Sequence, residues 1–176
     1  KEDDICEMHM CRLFFILYLN LRNRKKNLKE EDDRMKYVFL VSHGTFASGL
    51  HNALNMLAGE NREDVISTSL ENGMSSAVYA ENVRKCLAPV KAEDEIILLA
   101  DLVGGSPLTT AANVIAEENL MGQTVMVGGV NLPFALSAVL MKDTMETPEL
   151  IEDLLSESRE VLKEFRITNE ESEDEI

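Results

Sequence analysis

Two continuous apolar runs, Val38-Phe-Leu-Val41 and Ile96-Ile-Leu-Leu-Ala100, constrain this chain more than anything else in it. A strand with one face in water alternates apolar with polar residues, so a run without alternation has to be covered on both faces, as in the middle of a parallel sheet. Strand-like segments at 36–42, 65–70, 95–101 and 123–128 alternate with helix-like ones, which predicts an α/β fold: a doubly wound open sheet of four parallel strands with helices on both faces. Helix starts are marked at Ser106-Pro107, Leu132-Pro133 and Thr147-Pro148, with Ser106 and Thr147 expected as N-caps. Leu50 to Leu57 forms the first helical pattern, and Leu150, Ile151, Leu154, Leu155, Val161 and Leu162 keep helical spacing in the last one.

The 176 residues suit one domain. The chain carries 17 basic against 32 acidic side chains, and its net charge of −15 repels phosphate backbones, so nucleic acid is excluded as a partner. Residues 1–34 hold eight of each sign, and the remaining 9 basic and 24 acidic side chains account for the whole imbalance. That head places Leu13-Phe-Phe-Ile-Leu-Tyr-Leu19 before its basic Arg22-Asn-Arg-Lys-Lys26, the reverse of a secretory signal. Lys29-Glu30-Glu31 permits codons that spell a ribosome-binding tract ahead of Met35, so residues 1–34 are expected to be a non-native or disordered extension. Cys6, Cys11 and Cys86 match no disulfide or zinc pattern, His9 between the first two adds little, and no metal is assigned. A reducing, cytoplasmic setting fits this cysteine usage.

Three glycine-bearing loops follow three of the strands: His43-Gly44-Thr45, the stretch from Asp101 to Gly104-Gly105-Ser106-Pro107, and Gly128-Gly129-Val130-Asn131. Parallel strands send all three to one edge of the sheet, where helix N-termini favour a bound anion. Neither a GxxxxGK loop nor a GxGxxG fingerprint is present, so the edge is not built for a nucleotide, and no cofactor is expected. A lone strand-end histidine is more often a satisfied structural group, and a strand-end carboxylate a cap. The joint placement of His43 and Asp101 on this edge points instead to chemistry. A neutral imidazole nitrogen can accept a phosphoryl group while the other nitrogen keeps its proton, and Asp101 can hold that N–H. Gly44, Thr45, Gly104, Gly105 and Ser106 would bind the phosphoryl oxygens. His51, two turns further on, reads as a surface or packing residue, and Cys86 as a small buried hydrophobe.

Ser42-His43-Gly44, Phe46-Ala-Ser-Gly-Leu50, Leu57-Ala-Gly-Glu60, Asp101 with Gly104-Gly105-Ser106-Pro107, and Gly128-Gly129-Val130-Asn131-Leu132-Pro133 occur in an order that resembles the enzyme IIA domain of the mannose family of bacterial sugar phosphotransferase systems. The resemblance covers Met35 to about Glu146. It implies that His43 is phosphorylated on Nε2, with Asp101 bound to Nδ1. It further implies the carrier protein HPr as donor, a IIB component as acceptor, and membrane IIC and IID components downstream, with the chain at the inner face of the membrane through that complex. Known members are homodimers that exchange a C-terminal antiparallel strand, for which Phe165-Arg-Ile-Thr168 is the counterpart here. The expected division is therefore a phosphocarrier domain at 35–146, a helix and exchanged strand at 147–168, and an acidic tail at 169–176. The rival readings are a phosphocarrier feeding a dihydroxyacetone kinase and a non-catalytic anion-binding regulatory module.

Overall fold

Residues 37–41 have no more than 4% exposure each, so the first apolar run lies in the centre of the protein. In the computed structural model, which describes residues 34–164, that run is the core of β1 (Lys36–His43). It is followed by α1 (Phe46–Ala58), β2 (Val65–Leu70), α2 (Ser76–Leu87), β3 (Glu95–Ala100), α3 (Ser106–Glu117), a 3₁₀ turn (Met121–Gln123), β4 (Thr124–Gly128), α4 (Leu132–Met141) and α5 (Thr147–Glu160). The sheet order is β2-β1-β3-β4 and every pairing is parallel. The doubly wound open sheet expected from the sequence is the fold observed.

Alternate residues of the central strands feed two cores. Val38, Leu40, Ile97 and Leu99 pack with Leu50 and Leu54 of α1, Phe134 and Ala138 of α4, and Leu150 and Leu154 of α5. Phe39, Val41, Ile96 and Leu98 face the other way, onto Tyr79 and Val83 of α2 and Val114 and Ile115 of α3. Both faces are thus covered, which is why neither run alternates. Truncating one of these fully buried aliphatic side chains to alanine costs on the order of 2–5 kcal/mol.

Several boundaries differ from expectation for local reasons. The turn after β1 contains only Gly44 and Thr45, because Phe46-Ala-Ser-Gly49 is already helical. The N-caps of α3 and α5 are Gly105 and Glu146, one residue before Ser106 and Thr147. Proline tolerates either of the first helical positions, since both N–H groups lack an intrahelical partner. β4 starts at Thr124, where the 3₁₀ turn releases the chain. Leu150, Ile151 and Leu154 are buried, but Leu162 lies past the end of α5 and is 89% exposed. Cys86 is half-buried rather than enclosed, and burial pushes its thiol pKa up. Cys6, His9 and Cys11, the strand expected at 165–168 and the acidic tail lie outside the described residues.

Candidate functional site

From β1 the chain runs out to β2 on one side, and β3 lies on the other, so the carboxyl ends of β1 and β3 form the switch point at which open α/β sheets bind ligands. His43 is the last residue of β1, and Asp101 follows the last residue of β3. The sequence separates them by 58 positions; parallel pairing of β1 with β3 sets them side by side.

Asp101 Oδ2 lies 2.9 Å from His43 Nδ1 and accepts the His43 backbone N–H at 2.9 Å, while Oδ1 accepts the Leu102 N–H at 2.9 Å. An ionised carboxylate only accepts, so the Nδ1 contact assigns the ring proton to Nδ1 and leaves a lone pair on Nε2. The histidine side chain is 43% exposed and that of Asp101 is 16% exposed. The nitrogen that keeps its lone pair therefore belongs to a ring open to solvent, while the carboxylate at Nδ1 is largely enclosed.

Around this pair the residues expected to bind phosphate take different parts. Gly44 turns the chain at φ +56° and donates its N–H to Leu70 O at 3.0 Å, so that donor is already engaged. Thr45 is the N-cap of α1, and its hydroxyl makes no cap bond. Ser106 opens α3 behind Gly105, again without a side-chain cap. Elsewhere Ser75 and Asn131 do cap α2 and α4 through Val78 N–H and Phe134 N–H. The two helices that start beside His43 thus leave first-turn donors uncapped by their own N-cap side chains, which suits an anion. Gly104 adopts φ +73° with open space where a Cβ would stand. Gly105 differs: a Cβ there would sit 2.9 Å from His43 Cε1, so this glycine makes room for the imidazole itself.

Ser42 has no role in the sequence reading beyond its place before His43. Its side chain is wholly buried, accepts the Ala47 N–H at 2.7 Å, lies 3.1 Å from His43 O and 3.2 Å from Ser69 Oγ. A hydroxyl in a strand-end Ser-His pair is a weak signal, because its partners come from a helix and from a neighbouring strand. His51 faces β2 rather than the switch point: its Nδ1 is 2.8 Å from Ser67 Oγ, and burial lowers its pKa. Among the described residues no group of three or more potential metal ligands gathers, and no helix is long and apolar enough to cross a membrane.

Comparison with known proteins bears on the same region. The family pattern EIIA-man, described as the PTS system fructose IIA component, matches residues 37–155. The PTS system fructose-specific EIIA component of Bacillus subtilis (strain 168) is 28% identical over 136 residues, covering 77% of this chain and 88% of that protein. A crystal structure of phosphotransferase system component EIIA from Streptococcus agalactiae superposes with a TM-score of 0.64 at 27% identity, covering 74% of this chain and 98% of that one. The mannose/sorbose specific IIA subunit from Enterococcus faecalis shares the fold with a TM-score of 0.64 at 22% identity, over 76% of this chain and 97% of that one.

Proposed function

The chain belongs to the EIIA-man family of PTS system fructose IIA components, and from that premise we propose that it carries a phosphoryl group on His43 Nε2 between two protein partners. The family makes it a component of a sugar phosphotransferase system. The observation that carries the finer reading is the 2.9 Å contact of His43 Nδ1 with the enclosed Asp101 carboxylate beneath a half-exposed ring.

In the proposed step the Nε2 lone pair attacks the phosphorus of phosphohistidine on HPr. A P–N bond forms here as the donor's P–N bond breaks, and the bonding pair stays with the donor imidazole. His43 keeps its Nδ1 proton, so its ring gains positive charge, which Asp101 balances at hydrogen-bond distance. Thr45, Gly104, Gly105 and Ser106 receive the phosphoryl oxygens at the starts of α1 and α3, with Gly44 contributing its turn rather than its N–H. The second transfer, to a IIB component, reverses these roles, and IIC and IID act on the sugar downstream. The sugar touches none of these residues, so its identity is set by those later components. A homodimer working at the inner face of the membrane completes the proposal. No metal or nucleotide takes part.

A transfer assay tests it. With phosphoenolpyruvate, enzyme I and HPr, the protein takes up acid-labile phosphate; His43→Ala abolishes uptake and His51→Ala retains it. Uptake undiminished in His43→Ala refutes the assignment. Uptake that needs His43 but passes only to a dihydroxyacetone kinase complex moves the protein to that branch.

A further inference from the structure

The shortest polar contact that joins β1 to α1 belongs to Ser42, not to the N-cap residue. Ala47 N–H is a first-turn donor of α1, and Thr45 offers it nothing. Ser42 Oγ, reaching forward from the strand, accepts it at 2.7 Å. A hydroxyl has one proton and two lone pairs. With Ala47 N–H on one lone pair and the proton directed to His43 O at 3.1 Å, the contact to Ser69 Oγ at 3.2 Å fills the second lone pair if Ser69 donates. All three capacities are then used at a position with 0% exposure. Buried among satisfied partners, this oxygen has one orientation.

The consequence concerns the two-residue turn that leads into α1. Gly44 N–H is fixed to Leu70 O, and Ser42 fixes both the carbonyl of His43 and the amide of Ala47. Gly44, Thr45 and Phe46 are therefore clamped at each end by partners other than themselves. The ring of His43 is oriented separately, by Asp101 at Nδ1, and the missing β-carbon of Gly105 leaves room beside Cε1. The imidazole ring and the first turn of α1 are thus oriented by different side chains.

Resting on the phosphocarrier reading above, we propose that Ser42 is a positioning residue that holds the start of α1 in register with His43 Nε2, so that its donors meet the phosphoryl group in transfer. It touches neither the phosphoryl group nor the ring. Loss of its hydroxyl misplaces donors without changing the tautomer of His43, and small misplacements at a reacting centre are costly in rate.

The test compares wild type, His43→Ala, Ser42→Ala and Ser42→Cys, each held well below its own melting temperature with the folded fraction checked by circular dichroism. Cysteine keeps the side chain's bulk and is a weak acceptor, so it carries the same test should the alanine variant not fold. At saturating phospho-HPr, Ser42→Ala turns over about 10- to 100-fold more slowly, with KM for phospho-HPr within about twofold of wild type and the His43 Nδ1–H signal retained in nitrogen NMR. Ser42→Cys falls between the two. A small donor, potassium phosphoramidate, gives the same order of rates, because the defect lies in the acceptor and not in docking. Turnover at the wild-type level in a folded Ser42→Ala or Ser42→Cys protein overturns the proposal, as does loss of the Nδ1–H signal, which would place the defect at the ring. Failure of wild type itself to accept phosphate from phospho-HPr overturns the phosphocarrier reading as well, so the two failures are distinct.

Discussion

At the residue scale the His43 imidazole depends on two neighbours that act differently. Asp101 attracts Nδ1, and Gly105 yields space to Cε1. The sequence offered Asp101 as a group that could accept the ring N–H, because it ends a strand on the same sheet edge. The part played by Gly105 was not legible there, since Gly104-Gly105 reads as room for a phosphate, and only the fold reveals that one of the pair also makes room for the ring. Gly105→Ala follows from this. At φ −68° and ψ 157° the backbone accepts alanine, but its Cβ would press on Cε1 at 2.9 Å. The ring, being the movable part, rotates away from Asp101. The expected outcome is a folded protein with a melting temperature close to wild type, loss of the Nδ1–H signal and phosphoryl uptake lowered by about 10²-fold or more, the scale of an acid–base partner removed. Gly104→Ala should differ in kind: open space surrounds its Cβ position, and the cost comes from holding alanine at φ +73°.

At the element scale the loop from β3 into α3 is the least predictable part of the site. It leaves Ala100, puts Leu102 and Val103 into solvent at 57% and 80% exposure, and lies across the end of β4. A Cβ on Gly128 would meet Val103 N and Cα at 2.8 Å, so this strand glycine exists to let the loop pass. Because the obstacle is backbone, Gly128→Ala has to move the loop. It should destabilise the protein by about 1–3 kcal/mol in urea unfolding, as overpacking does. It should also slow phosphoryl uptake, because the same loop carries Gly105 and Ser106. A stability loss with unchanged uptake would show that the loop tolerates displacement. The early start of α1 has a comparable origin. Thr45, which precedes Phe46-Ala-Ser-Gly49 as the N-cap, makes no side-chain cap bond, and the first turn is supported by Ser42 across the turn and by Gly49 N–H bonding back to Thr45 O at 3.0 Å. Periodicity located the helix from Leu50 onward, where apolar side chains meet the core.

At the scale of the whole molecule the two ends of the sheet are built differently. The carboxyl end carries the switch point, and the amino end is tied by charge. Asp94, 1% exposed, accepts Met35 N–H and Lys91 N–H at 2.8 Å each; Lys36 Nζ donates to Met145 O at 2.9 Å; Lys142 Nζ, with its side chain 4% exposed, sits 3.0 Å from Asp64. Burial alone would raise the pKa of Asp64, but its bond from Arg62 and the Lys142 ammonium outweigh that and hold it below the usual value. A carboxylate whose folded pKa lies below the unfolded one stabilises the protein above the unfolded value near 3.8, and that contribution is lost as pH falls through the folded value. Asp64→Asn should thus be less stable than wild type at pH 7 in urea titrations, with the gap closing below about pH 4. A gap that stays constant with pH would assign the loss to packing. What the sequence determined by itself was everything carried by local pattern: unalternating runs demand burial on both faces, alternating strand and helix demand a parallel sheet, and a parallel sheet demands that His43 and Asp101 share an edge. What only the tertiary structure decided were contacts between groups that no pattern links, among them Ser42 with Ala47, Gly105 with the imidazole, Gly128 with Val103 and Asp64 with Lys142. Periodicity reports which face of an element is buried, whereas a hydrogen bond or a missing β-carbon depends on tenths of an ångström between elements brought together by packing.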